Sequence, residues 1–429
     1  MSEDRFDVII VGGGLAGSAA AYVLAKAGVE VAVIERGPSC GSKNMTGGRL
    51  YGHSLKKLIP DFEQRAPLER RITRERVSLM SAGASTTIEF DCGTLGGDNA
   101  RSYSVVRGKF DQWLASEAEA QGATYVCGIR VDDLIVRNGR VRGIIAGEDR
   151  LEADVVILAD GVNSLLAQKI GLAGPTDPSK VAVGLKEVIK LSDQQMKDRF
   201  GAVDDNGTAW LFAGDPTLGS IGGGFLYTNK DSISLGIVAT VSDVEYSETS
   251  VVEMLNRFKE NRLIAPLIEG GELLEYSAHL VPEGGYDAMP QLYGDGVLVA
   301  GDAAGMVLNL GYMVRGMDLA IEAGRQAANA VLYARRRGDY SRKTLSAYVT
   351  GLENSFVLRD MKLYRKATRF MENRRVFTRF PMMFEDILRS LFTVDGESSE
   401  GIVKKVLPTV PDAGVTALAK DVVQIVSAL

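Results

Sequence analysis

A glycine-rich turn near the start of the chain constrains its fold more than any other feature. Glycines at 12, 14 and 17 follow a buried-strand pattern at residues 6–11 and precede a small-residue helix at 19–27. Gly12 permits a tight turn, Gly14 lets a diphosphate approach the backbone, and Gly17 lets the helix pack close to the strand. Leu15 and Ala16 lie at the helix start, where free N–H groups favour negative charge. The pattern predicts a dinucleotide site.

An acidic residue after the next strand strengthens this prediction. Residues 29–34 form a second strand pattern, which ends at Glu35 and Arg36. A carboxylate at this point accepts hydrogen bonds from an adenosine ribose. The alternative is an ordinary strand–helix–strand turn without a ligand.

A second turn occurs far along the chain. Residues 296–300 form a buried-strand pattern, followed by Gly301 and Asp302, then by Asn309, Gly311 and Tyr312. Asp302 lies where open α/β sheets bind ligands, and its carboxylate suits a hydroxylated linker such as ribityl. An Ala-rich helix at 318–332 starts where negative charge on a reduced isoalloxazine would be stabilised. The alternative is that Asp302 is a solvated aspartate at the end of a strand, without a ligand.

A third strand and turn, at residues 153–158 with Asp160 and Gly161, supports both. Hairpin-like turns precede it at 138–139 and 148–149. Together the three turns predict an extended FAD held by an α/β, Rossmann-like domain built from separated segments. A second G-x-G-x-x-G for a nicotinamide is missing, because residues 222–224 lack the third glycine and the helix.

The composition of the chain argues against several classes of function. The net charge of −6 argues against nucleic acid, and the three cysteines, Cys40, Cys92 and Cys127, form neither a C-x-x-C nor a disulfide framework, as expected in a reducing compartment. The presence of only two histidines, His53 and His279, argues against a histidine-based metal site, and we interpret both as packing residues. The chain opens without a signal-peptide pattern and contains no long apolar span, so we expect a cytoplasmic protein.

Further segments with strand-like sequence patterns lie between the nucleotide-binding segments. They occur at residues 75–90, 181–189, 208–213, 222–228 and 232–241, followed by a helical pattern at 250–268. We predict a discontinuous FAD domain at 1–60, 101–175 and 286–345. An antiparallel sheet domain on the substrate or quinone side comprises 61–100 and 176–285. Residues 346–429 form a helical C-terminal region.

Apolar and basic residues alternate densely within this C-terminal region, between residues 369 and 392. A basic, aromatic, amphipathic segment can lie in a membrane interface. It can equally pack on the sheet domain or face a partner protein, and the pattern leaves the three alternatives open.

Seven segments together resemble the FixC proteins, homologues of electron-transfer flavoprotein–quinone oxidoreductase. They are GGGLAGSAAA from Gly12, SKNMTGGRLY from Ser42, SVVRGKFDQWL from Ser104, VILADGVNS from Val156, GGGFLYTN from Gly222, YSAHLVPEGG from Tyr276 and VLVAGDAAGMVLNLGYMVRGMDLAIEAGRQAA from Val297. A more distant likeness extends to geranylgeranyl reductases and flavin monooxygenases.

The resemblance implies one FAD in a fold like that of glutathione reductase and p-hydroxybenzoate hydroxylase. Arg107 would then reach the FAD from the side, and Val131 would offer its backbone to the adenine. Residues from Lys43 to Gly48, and from Asn309 to Tyr312, would border the isoalloxazine. Without the resemblance, Arg107 would be interpreted as an ordinary ion pair at a helix start.

The resemblance also implies partners. Full-length quinone oxidoreductases of this kind carry a four-cysteine cluster domain, whereas no cysteine follows Cys127 here. Fix-type systems place the cluster on a separate ferredoxin-like subunit, FixX. We therefore expect a membrane-peripheral subunit that takes electrons from a FixA/FixB-type electron-transfer flavoprotein and passes them to quinone. Electron bifurcation, nitrogen fixation and carnitine metabolism are associated with such systems. The alternative is an NAD(P)H-dependent monooxygenase or a geranylgeranyl-type reductase.

Overall fold

The computed structural model describes residues 5–42, 48–93, 97, 100–396, 398 and 401–406. The strands are β1 (Arg5–Val11), β2 (Val31–Glu35), β3 (Arg49–Tyr51), β4 (Leu68–Met80), β5 (Ser85–Asp91), β6 (Ser102–Val105), β7 (Thr124–Cys127), β8 (Asp133–Arg137), β9 (Arg140–Ala146), β10 (Asp149–Leu158), β11 (Val181–Lys190), β12 (Asn206–Gly214), β13 (Gly222–Thr228), β14 (Ser232–Thr240), β15 (Glu272–Pro282), β16 (Tyr293–Gly294), β17 (Val297–Val299), β18 (Leu308–Asn309) and β19 (Val314–Arg315).

The α-helices are α1 (Leu15–Lys26), α2 (His53–Leu58), α3 (Phe62–Arg65), α4 (Arg107–Glu119), α5 (Leu165–Lys169), α6 (Asp193–Phe200), α7 (Val241–Glu245), α8 (Val251–Glu260), α9 (Ala265–Ile268), α10 (Met317–Arg337), α11 (Arg342–Leu345), α12 (Ala347–Asn354), α13 (Phe356–Leu363), α14 (Arg365–Met371), α15 (Arg379–Phe392) and α16 (Ile402–Val406). Short 3₁₀ turns lie at Pro178–Lys180, Asp215–Thr217, Tyr286–Ala288, Gly301–Ala304 and Arg374–Val376.

The first sheet has the strand order β16-β17-β10-β1-β2-β7, with β9 pairing on β10 and β8 on β9. Strands β17, β10, β1, β2 and β7 run parallel, so their carboxyl ends meet at one edge. The apolar run of β1 is fully buried at Ile9 and Ile10, as expected for a parallel sheet covered on both faces. Helix α1 packs closely on α10, where a methyl group on Gly324 would lie 2.1 Å from the Ala16 oxygen.

The second sheet has the order β15-β11-β14-β13-β12-β4-β6-β3, with β5 paired to β4. The sequence predicts an antiparallel sheet, but β12 runs parallel to β4, so the sheet is mixed. Strand β15, which pairs with β11 along its whole length, was not predicted. Strands β3 and β6 also join this sheet, although they lie in segments assigned above to the FAD domain. Three- and four-residue strands carry too little periodicity to indicate their partners.

The C-terminal region is helical in its described part. Tyr348 of α12 and Met361 of α13 are completely buried in the core beneath the first sheet. Helix α15 instead packs against β4 and β5, where Ser81 Oγ donates to the Glu385 carboxylate. Among the described residues, we find no helix whose length and apolar character would let it cross a membrane.

Candidate functional site

A cavity of about 630 Å³ lies where the carboxyl ends of the first sheet face the second sheet. Most of the sequence-predicted site residues line it: Gly12, Gly14, Leu15, Ala16, Glu35, Arg36, Gly48, Arg107, Val131, Asp160, Gly161, Asp302, Asn309 and Gly311. Residues widely separated in sequence therefore meet in one space.

The first glycine turn forms a tight cradle at one end of the cavity. Gly12 has φ +102°, and a methyl group there would lie 2.2 Å from the Ala159 oxygen. A methyl group at Gly17 would lie 2.0 Å from the Gly12 oxygen, so Gly17 supports the turn from beneath rather than lining the cavity. Gly14 precedes α1 and no side chain caps that helix. The free N–H groups of its first turn are suited to a diphosphate.

Glu35 lies beside this cradle at the end of β2. Its Oε2 accepts a hydrogen bond from the Gly13 N–H at 2.8 Å, and its Oε1 accepts one from the Gly37 N–H at 2.6 Å. Two backbone donors therefore fix the carboxylate at the cavity wall, which is the position expected for a ribose acceptor.

Arg107 and Asp302 both line the cavity and influence each other electrostatically. Arg107 donates from Nε and Nη2 to the two oxygens of buried Asp111, at 2.7 and 2.8 Å. Burial lowers the pKa of Arg107, but the carboxylates of Asp111 and Asp302 outweigh burial and hold this pKa above its ordinary value. Burial raises the pKa of Asp302, although Arg107 opposes that effect. The ion-pair interpretation and the cofactor interpretation of Arg107 are therefore compatible.

Asp160 provides a test of whether these residues fit an FAD. Its Oδ1 is buried without a hydrogen-bond partner among the described residues, and burial raises the pKa of this carboxyl to about 6 despite two backbone hydrogen bonds and nearby Arg36. The unsatisfied Asp160 oxygen can accept a hydrogen bond from a hydroxyl group, and the glycine cradle and the uncapped helix start supply N–H donors. This combination of acceptor and donors suits a hydroxylated dinucleotide. The residues present fit the cofactor.

Tyr312 is 47% exposed and is not part of the cavity lining described above. It lies in the turn between β18 and β19, where burial and then Tyr364 raise the pKa of its hydroxyl. Lys43 lies outside the described residues, as do residues 44–47 of its segment.

The sequence did not indicate several further lining residues. His279 and Glu283 come from β15 and the residue after it, while Phe370, Met371 and Phe377 come from the C-terminal region. Burial, with Arg107 and Arg36, lowers the pKa of His279 to about 4, so its imidazole is neutral at neutral pH. The apolar pattern between residues 369 and 392 could have indicated the C-terminal lining residues. One interpretation of that pattern was packing inside the protein, and such packing brings some of these side chains to the cavity.

His53, the other histidine, lies in a separate buried network. Its Nε2 is 3.1 Å from Oδ2 of Asp318, which also accepts hydrogen bonds from Arg315. His53 also meets the Phe356 ring edge-on at 4.7 Å. These contacts agree with a packing role.

Comparisons with known proteins identify related chains over the whole length. The family models that match are FAD dependent oxidoreductase at residues 7–97, "ETF-QO, ubiquinone-binding" at 181–281, and "ETF-QO/FixC family C-terminal domain" at 367–429. A probable electron transfer flavoprotein-quinone oxidoreductase, YdiS of Escherichia coli K12, is 49% identical over 100% of both chains. Protein FixC of Salmonella typhi is 51% identical over 98% of both chains.

Solved structures share the fold at low sequence identity. A geranylgeranyl bacteriochlorophyll reductase-like protein from Thermoplasma acidophilum has a TM-score of 0.73 and 21% identity, with 97% of this chain and 99% of that chain covered. The halogenase PltM, solved with FAD, has a TM-score of 0.63 and 16% identity, with 90% and 80% covered. The fold is that of FAD-dependent flavoproteins with a C-terminal helical region. The chain is an FAD-dependent oxidoreductase and belongs to the electron-transfer flavoprotein–quinone oxidoreductase/FixC family.

Proposed function

We propose that this chain passes electrons from a FixA/FixB-type electron-transfer flavoprotein through its FAD to a membrane quinone. The observation that carries the proposal is the continuity of the cavity, which joins the glycine cradle at Gly12 to apolar side chains at Phe370 and Phe377. The family model for ubiquinone binding covers residues 181–281, whose strands form the facing wall. A polar end for a dinucleotide and an apolar end for a lipid-like electron acceptor therefore share one space.

The bound FAD would supply two-electron redox chemistry, and the protein would supply position and electrostatics. Gly12 and Gly14 would contact the diphosphate and Glu35 the adenosine ribose. Asp302 would contact the ribityl chain, with Arg107 beside it. The surrounding apolar wall would exclude water from the reacting groups.

We propose the domain assignment on the same basis. Segments 1–60, 101–175 and 286–345 would hold the FAD, whereas 61–100 and 176–285 would contribute the quinone side. The region 346–429 would close the cavity and contact the membrane or a partner. The short strands β3 and β6 would then connect the first two units.

An apolar outer surface supports peripheral membrane contact at the cytoplasmic face. Met382 and Phe392 of α15 are 57% and 82% exposed, and Ile88 and Phe90 of β5 are 72% and 56% exposed. Because α15 packs on β5, these side chains belong to neighbouring elements. We call these four residues the α15–β5 surface. Val77 and Leu79 of β4, the strand paired with β5, line the cavity, which suits a lipid-soluble substrate entering from this side.

The iron–sulfur cluster would belong to a FixX-type subunit. No cysteine follows Cys127, so residues 128–429 offer no conventional cysteine-ligated site. The name of the relative YdiS includes an electron transfer flavoprotein, which supports a flavoprotein as the electron donor.

The test is anaerobic reconstitution of this chain with its flavoprotein and ferredoxin-like partners, measuring NADH-driven reduction of a soluble quinone analogue. We expect quinone reduction that disappears when this chain is omitted. Reconstitution without the ferredoxin-like subunit tests the FixX part separately. Rapid NADPH oxidation in air by the chain alone, without quinone reduction, would instead support a monooxygenase or a prenyl-chain reductase.

A further inference from the structure

Glu283 is a carboxyl group in the cavity wall that the FAD assignment leaves unused. It directly follows β15, and its neighbours Val281 and Pro282 line the cavity with it. The polar end of the cavity is formed by other residues, namely the glycine cradle and Glu35. Glu283 therefore belongs to the wall contributed by the second sheet.

The side chain of Glu283 is held by the end of β14. Thr240 Oγ1 donates to Glu283 Oε2 at 3.0 Å. The Thr240 N–H in turn donates to the oxygen of Ile221, the residue before the cavity-lining Gly222. The Glu283 N–H donates to the Lys180 oxygen at 2.8 Å. Backbone contacts on both sides thus fix the carboxyl against the cavity.

The charged groups on the surrounding elements have their own partners. Lys180 pairs with Glu372 of the C-terminal region, and Asp243 of α7 pairs with Arg374 at 2.7 Å. On β15, the nearest titratable side chain along the chain is His279. Burial raises the pKa of Glu283 to about 7, and the hydrogen bond from Thr240 opposes this shift. A carboxyl in this state exchanges its proton near neutral pH.

Reduction of a quinone to a quinol needs a proton source. The reaction adds two electrons and two protons, and a reduced anionic flavin carries two electrons and one proton. The second proton must come from the protein or from solvent. Within a water-excluding cavity, a protonated side chain at the wall is the direct source.

We propose that Glu283 is the proton donor of the cavity, giving its carboxyl proton to an oxygen of the quinone as the quinol forms. After the quinol leaves and solvent reaches the cavity, the carboxylate takes a proton from water, which restores the acid. This inference rests on the proposed function, and it assigns to this chain a residue for the protonation half of the reaction.

The first test compares wild-type protein with Glu283→Gln and with the control Glu260→Gln, which removes an exposed carboxylate at the end of α8. Each full-length, FAD-loaded protein is chemically reduced without oxygen and mixed with a soluble quinone analogue at pH 5.5–9. We expect the wild-type rate to fall above about pH 7. Glu283→Gln should lower the rate about 100-fold at pH 6 and remove this pH dependence, whereas the control should keep both.

A second variant changes the acidity of Glu283 but keeps its carboxyl. Because the Thr240 hydrogen bond lowers the pKa of Glu283, Thr240→Val should move the midpoint of the pH profile upward. A role in structure alone would leave the midpoint in place. An unmoved midpoint would therefore contradict the proposal, even if Glu283→Gln fails to fold.

Stability gives a readout independent of activity. The pKa of a free glutamate, 4.5, lies below the folded value of about 7, so ionisation favours the unfolded chain as pH rises between these values. Wild-type protein should lose stability relative to Glu283→Gln across this window, and the difference should level off above it.

The outcomes separate the two proposals. The donor role alone is overturned by three results together. Wild-type protein reduces quinone, Glu283→Gln keeps the wild-type pH profile, and the difference in stability between the two proteins does not change with pH. Wild-type protein that reduces no quinone rejects the proposed function and the donor role with it.

Discussion

The Glu35 carboxylate accepts a hydrogen bond from the Gly13 N–H at 2.8 Å, which joins the end of β2 to the turn after β1. Strands β1 and β2 are parallel neighbours, so their carboxyl ends adjoin. The contact fixes the acidic group before any ligand binds. It therefore preorganises the position at which an adenosine ribose would be held.

Replacing Glu35 with Gln should weaken FAD binding about 10- to 100-fold. Gln keeps the size of the side chain but loses the charge, and hydrogen bonds to charged groups contribute roughly 1.5–3 kcal/mol. Fluorescence titration of the apo-protein with FAD measures the dissociation constant. Glu30→Gln, an exposed change just before β2, is the control. Equal affinities for Glu35→Gln and wild type would contradict the ribose assignment.

Replacing Gly17 with Ala should remove FAD and destabilise the fold. The added methyl would lie 2.0 Å from the Gly12 oxygen, so the turn must shift, and such overpacking typically costs about 1–3 kcal/mol. Bound flavin per chain and the melting temperature report the two effects. Gly174→Ala is matched, because its methyl meets no atom within 4 Å. Stoichiometric flavin in Gly17→Ala would mean that the turn tolerates the displacement.

The network around His53 should make the free energy of unfolding depend on pH in the acidic range. Burial by itself raises the pKa of Asp318, but the hydrogen bonds from His53 and Arg315 outweigh burial and hold that pKa below its ordinary value. A lowered folded pKa contributes stability that is present above the unfolded value of about 3.9 and lost as pH falls through the folded value.

Asp318→Asn should therefore destabilise the protein by about 3–5 kcal/mol at pH 7, because it removes a buried charge partner from His53 and Arg315. The difference from wild type should shrink below about pH 4. Denaturant unfolding at a series of pH values measures it. Asp61→Asn, at an exposed ion pair, should change stability by less than about 1 kcal/mol throughout. A pH-independent difference for Asp318→Asn would contradict this account.

The sequence predicted the polar end of the cavity more completely than the other end. Gly12, Glu35 and Asp302 each follow a recognisable buried strand, so local pattern determines which edge of the sheet they occupy. Glu283 has no comparable signal, because its environment depends on Thr240 of a different strand. The resemblance alone predicts Tyr312 at the isoalloxazine, and this stays a prediction, because the side chain lies in the short hairpin of β18 and β19 and is 47% exposed.

The last prediction concerns the α15–β5 surface. Met382→Asp combined with Phe392→Asp should lower binding to anionic lipid vesicles about tenfold or more. Both exposed apolar side chains would otherwise be buried in the interface, and burial of one such side chain contributes roughly 1.5–3 kcal/mol. Vesicle co-sedimentation measures binding, and bound flavin per chain confirms that the cavity is intact.

The control is Val136→Asp, which adds a charge at a 49% exposed apolar position in the hairpin of the first sheet. It should leave vesicle binding within twofold of wild type. Reduction of a soluble quinone analogue should stay the same in the double variant, whereas reduction of a long-chain quinone embedded in vesicles should fall in parallel with binding. If both quinones are reduced as in wild type and binding is unchanged, the surface instead packs against a partner protein, because exposed apolar patches mark protein interfaces as well as membranes.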